Sequence, residues 1–135
     1  MKKIITLLFL NLLLLATTGF AQDIILDNQT SYPNKDQKKN IAIQWADSAK
    51  EVDDNNKALM YGFKLNPSSI QNIAQSGKVN LNIPEKAKHF RILAWSKEEG
   101  GPDFITNWVD IEPNKIYSLE QDHLSPTVLM VGSGC

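Results

Sequence analysis

Apolar and polar residues alternate along this chain in short bursts, and most bursts are bounded by Gly, Pro, Asn or Asp. Alternation with a period of two marks a strand with one face in a core. The stretch His89–Ile111 carries the clearest case: two alternating runs flank Lys97–Asp103, which holds Gly100, Gly101 and Pro102. That arrangement predicts a β-hairpin. On its first strand Phe90, Ile92 and Ala94 share one face, and Arg91, Leu93 and Trp95 the other. On its second, straight alternation puts Ile105, Val109 and Ile111 opposite Thr106, Trp108 and Asp110. Each strand thus sets a tryptophan against its aliphatic stripe, so both faces of the hairpin should be covered and the hairpin should lie centrally in a sheet.

Further strands are expected over Asp23–Asn28, Asn40–Ala46, Leu59–Leu65, Val79–Ile83, Ile116–Leu119 and Thr127–Val131. The polar stretch Asp47–Lys57 reads as a solvated loop, and Glu112-Pro113-Asn114-Lys115 as a tight turn. Asn66-Pro67 is a helix-start signal and predicts one or two helical turns before Gly77, with a short irregular strand over Ile70–Ala74 as the competing reading. Turn signals every 8–12 residues point to an all-β fold. The expected architecture is an immunoglobulin-like antiparallel β-sandwich of about seven or eight short strands with one short helical turn. The paired cysteines of antibody domains are absent, so this expectation rests on architecture alone.

The first 21 residues stand apart. Met1-Lys2-Lys3 precedes the apolar run Ile4–Ala16, and Gly19-Phe20-Ala21 places small residues at a cleavage site. This is the pattern of a Sec-type signal peptide with cleavage after Ala21. The apolar run falls short of the roughly 20 residues that a membrane-spanning helix needs. A periplasmic or secreted location is expected, with residues 22–135 forming one domain and no transmembrane segment after cleavage.

Charge and cysteine content narrow the function. The chain has 14 basic and 15 acidic residues and a formal net charge of −1, and losing Lys2 and Lys3 deepens the acidic excess. Without clustered Lys and Arg, nucleic acid is not an expected partner. Cys135 is the single cysteine and the last residue. An internal disulfide is excluded, while a disulfide-linked dimer or a mixed disulfide through Cys135 stays open. Asn28-Gln29-Thr30 matches a glycosylation triplet, a pattern common by chance.

Motifs for chemistry are missing. His89 and His123 lie far apart in the chain with no zinc spacing, and the Glu120-Gln121-Asp122-His123 loop falls short of the oxygen donors a calcium site needs. No metal or cofactor is expected. Nor is there a nucleophile elbow, and scattered carboxylates give weak grounds for hydrolysis. What remains is a surface. The expected function is a small, non-enzymatic binding or interaction module for a protein or glycan, acting through Trp95 and Trp108 with Glu98, Glu99 and Asp103 between them. Alternatives are a secreted membrane-active or toxin-like β protein and, more remotely, a small hydrolase.

Overall fold

The computed structural model describes residues 22–131. The expected signal peptide and Cys135 lie outside the described residues. Nine strands form two sheets: β1 (Asp23–Asn28), β2 (Asn40–Ala46), β3 (Ile70–Asn72), β4 (Gly77–Asn82), β5 (His89–Trp95), β6 (Phe104–Ile105), β7 (Val109–Asp110), β8 (Ile116–Leu119) and β9 (Ser125–Pro126). Helix α1 (Ala49–Tyr61) joins β2 to β3, and a short helix α2 (Thr127–Val131) follows β9. The smaller sheet has the order β4-β1-β8, and the larger one β3-β2-β5-β6-β9, with β7 also on β5.

The two sheets enclose one core. Ile24 and Leu26 of β1, Leu81 of β4 and Leu119 of β8 meet Ile41, Ile43 and Trp45 of β2 and Phe90, Ile92 and Ala94 of β5. Each large aliphatic buried here stabilises the fold by roughly 1.5–3 kcal/mol. Trp45 and Phe90 sit opposite each other in the β2–β5 ladder and pack edge to face with ring centroids 6.2 Å apart. As the alternation predicts, β5 is central and buried on both faces. Its other face, with Gln44 and Ala42 of β2, lies beneath α1, so the molecule has three layers.

Several expectations need correction. The pairing is not antiparallel throughout, because β1 and β8 run parallel. The first two strands also lie in different sheets, whereas the immunoglobulin arrangement places them side by side. Asp47–Lys57 is no loop and Leu59–Leu65 no strand: α1 covers most of the first and the start of the second. Ser48 caps the helix by accepting the Glu51 N–H at 3.1 Å, Glu51 reaches back to the Asp47 N–H at 3.1 Å, and Gly62 ends it in the left-handed conformation. Thr127–Val131 is likewise helical.

The hairpin itself contains a one-residue bulge. Leu93 pairs with Ile105 and Phe90 with Val109, so three steps on β5 face four on its partner. Beside the extra residue, the Thr106 hydroxyl accepts the Ile92 N–H at 2.9 Å in place of a ladder carbonyl. Alternation therefore flips between Ile105 and Val109, contrary to the straight reading: Ile105 shares a face with Leu93, and Val109 packs against the inter-sheet core.

Elsewhere, the strand and turn readings of Asp23–Asn28, Asn40–Ala46 and Ile116–Leu119 match the structure. Asn114 takes φ 64°, the left-handed third position that a turn with Pro at its second position favours. Asn66 caps a single 3-10 turn, Pro67–Ser69, before β3.

Candidate functional site

The two tryptophans singled out by the hairpin occupy different environments. Trp108, turned toward α1 at the bulge, lies over the Arg91 guanidinium at 4.5 Å and donates its indole N–H to Asn56 Oδ1 at 3.0 Å. Arg91 is 1% exposed. Its Nε donates to Gln44 Oε1 at 2.7 Å, Nη1 to Asn56 Oδ1 at 2.9 Å and Nη2 to the Asn55 carbonyl at 3.3 Å. All three acceptors are neutral, and burial pulls the guanidinium down to about 10 without a carboxylate to oppose it. Gln44 Nε2 and Asn55 Nδ2 are buried beside this network without an acceptor. The cluster fixes α1 to the larger sheet, and Arg91 is out of a ligand's reach.

Trp95 stands four residues further along β5, about 13 Å at the rise of an extended strand. There it lines a hollow of about 640 Å³ with Leu59 from the end of α1, Phe63, Leu65, Pro102 and Val128. Phe63 is 66% and Val128 68% exposed, and Met60, Tyr61 and Leu129 extend the apolar surface around the rim. Tyr61 and Phe63 stack obliquely with centroids 5.9 Å apart. A contiguous apolar area of this kind on a small domain marks a contact surface more often than a solvent face.

The loop between the tryptophans divides in two. Asp103 lines the hollow and holds the loop closed: its carboxylate accepts the Ser96 N–H at 2.8 Å and the Ser96 hydroxyl. Glu98 and Glu99 are exposed and are not among the hollow's lining residues. Glu98 pairs with Lys38 at 3.1 Å, each side chain 65% exposed, a pair worth little in water. Of the five residues expected to bind, the structure thus places Trp95 and Asp103 at one hollow and Trp108 beneath a helix. Phe63, Leu65 and Val128 were missed because they were read as strand residues. The signal that would have placed the first two was the Ser48-x-x-Glu51 helix start.

Glu120, Asp122 and His123 come together, each with a ligand atom within 4.8 Å of the others. His123 Nδ1, however, accepts the Glu120 backbone N–H at 2.9 Å, so a neutral ring carries its proton on Nε2. A metal at Nε2 would displace that proton and leave an imidazolate. The geometry suits closure of the 3-10 turn Gln121–His123 better than a cation site. His89 is engaged separately, with Nδ1 2.8 Å from Asp110 Oδ1. Asn28 of the glycosylation triplet is 1% exposed, with Oδ1 accepting from Thr30 and Nδ2 donating to the Tyr32 carbonyl at 2.8 Å, so it offers no acceptor for a glycan.

Among the described residues no helix is long and apolar enough to cross a membrane. No family model, curated protein or solved structure matches the chain.

Proposed function

We propose that this chain is a small exported, non-enzymatic binding module whose apolar hollow beside Trp95 receives an apolar side of a protein partner. The observation that carries this reading is the hollow itself, floored by an indole and walled by aliphatic side chains from α1, the following loop and α2. Such concave apolar sites with few polar groups are the usual form of a recognition surface. Leu59, Leu65, Ile70 and Val128 around the indole favour a protein partner over a glycan, whose hydroxyls would want more polar lining. Cys135, outside the described residues and four positions beyond Val131 in the sequence, is then a candidate covalent tether.

The test is capture from the exported fraction of the host. Wild type, Trp95→Ala and Val128→Ser are compared, with Trp108→Phe as a control outside the hollow. A partner retained by wild type and the control but lost by both hollow variants supports the site, and equal capture by all four rejects it. A second reading has its own observation: Met60, Tyr61, Phe63, Leu129 and Met130 would also suit an interfacial membrane contact. Co-sedimentation with anionic vesicles that Phe63→Ser abolishes would favour that reading over a protein partner.

A further inference from the structure

A second opening lies between the two sheets, on the side where β8 ends the smaller sheet. It measures about 390 Å³ and is floored by the core residues Leu26, Phe90, Ile92 and Leu119, with Tyr117 beside them. Its far wall is the bulged stretch Thr106–Val109. Phe90 and Tyr117 meet edge to face there, with ring centroids 5.0 Å apart. Leu26, Phe90, Ile92 and Leu119 are themselves only 1–4% exposed, so the accessible apolar lining of the slot is that of the half-buried Val109 and Tyr117.

Along the slot runs an unguarded strand edge. Among the described residues, β8 has β1 on one side and no strand on the other. The Lys115 and Leu119 carbonyls accept from Ile25 and Gln29 of the β1 segment, at 3.0 and 2.8 Å. Alternation in a parallel ladder then directs the N–H and C=O groups of Ile116 and Ser118 outward. Ile116 is 54% exposed, and Ile116–Leu119 contains neither a charge nor a proline to repel pairing. The slot's other feature is its charge. At the C-terminal end of β8 stand Glu120 and Asp122, exposed, and among the described residues neither forms an ion pair with a lysine or arginine.

We propose that the free edge of β8 and the adjoining slot accept an extended peptide segment of a partner protein. The peptide adds a fourth strand to the smaller sheet. Its alternating apolar side chains enter the slot onto Val109 and Tyr117, and a lysine or arginine at its N-terminal end meets Glu120 and Asp122. Strand addition of this kind takes its affinity from main-chain bonds and its specificity from alternate side-chain pockets. The antiparallel direction, the commoner one, sets the basic residue N-terminal to the apolar ones. This site lies apart from the Trp95 hollow and does not depend on that reading.

The experiment titrates the purified protein with the probe peptide acetyl-Lys-Thr-Val-Thr-Val-Thr-amide and follows amide hydrogen exchange. Expected is saturable binding that slows exchange at Ile116 and Ser118 at least tenfold. Ser118→Pro, whose lost N–H has no internal partner, should keep the circular dichroism of wild type and lose the binding. Asp122→Lys should weaken binding severalfold at low salt and less at high salt. Absence of protection at millimolar peptide, or equal binding by a folded Ser118→Pro, would overturn the proposal. Protection that grows with protein concentration alone and vanishes in Ser118→Pro would also overturn it, since the occupant would then be a second copy of this chain.

Discussion

The indole of Trp108 lies over the guanidinium of Arg91 at 4.5 Å, and both side chains donate to the same Asn56 oxygen. A buried cation is thereby held by a ring face and neutral amides. The contact joins β5, the bulge and α1 in one unit, so its loss should loosen all three.

Trp108 is half-buried, so Trp108→Ala should destabilise the protein by about 2–3 kcal/mol, below the range for removing a fully buried large aromatic. Trp108→Phe keeps a ring over Arg91 but loses the indole N–H bond, and about 1 kcal/mol is expected. Urea denaturation measures both. Equal costs for the two variants would mean that the ring stack contributes nothing.

Trp95→Ala should cost far less stability, because its ring borders an open hollow. A destabilisation of about 1 kcal/mol is expected, the common size for single substitutions. A loss as large as that of Trp108→Ala would show that Trp95 is a core residue and weaken its assignment to a binding surface.

The Arg91 guanidinium is pulled down to about 10 in the folded protein, well below its ordinary value, because burial disfavours the charged form. Between those two values the unfolded chain holds more protons than the folded one, so this group's contribution to stability rises with pH there. Below pH 10 both states are charged and the burial penalty stands in full. The stability of wild type minus that of Arg91→Met should therefore shift in favour of wild type from about pH 9 to 11.5. A flat difference across that window would contradict the burial of a lone charge.

Helix α1 rests on its two ends. Ser48→Ala removes the side chain that caps the Glu51 N–H and should cost about 1 kcal/mol. Gly62→Ala places a Cβ at φ 72°, where no heavy atom lies within 4 Å of it. The cost is then conformational, about 1 kcal/mol. Thermal unfolding of the two single variants and their combination should show nearly additive losses, since the sites sit at opposite ends of the helix.

The alternating patterns of β1, β2 and β5 were legible because each strand borders an apolar core, and burial on one face writes a period of two into the chain. The same logic failed at the bulge, where one inserted residue between Ile105 and Val109 reverses the faces without any change in composition. It failed at α1 for a different reason. The helix turns Val52, Asn55, Asn56 and Leu59 inward at helical spacing, and two of those four are asparagines: the Asn56 side chain serves Arg91 and Trp108, and the Asn55 backbone carbonyl serves Arg91. A polar inner face removes the hydrophobic signature by which a helix is recognised.

The candidate site was half visible. Trp95 and Asp103 belong to the hairpin and could be named from its pattern, whereas Phe63 reaches the hollow from the loop after α1 and Val128 from α2, and no local signal encodes the tertiary placement of either. By itself the sequence determined the mostly β character and the central place of β5. Only the tertiary structure decided which tryptophan packs on Arg91 beneath α1 and which borders the hollow, where α1 sits and which edge of the described strands stays open. Local periodicity reports that a face is covered; what covers it depends on partners distant in sequence, here a buried arginine and the amides of a helix folded over it.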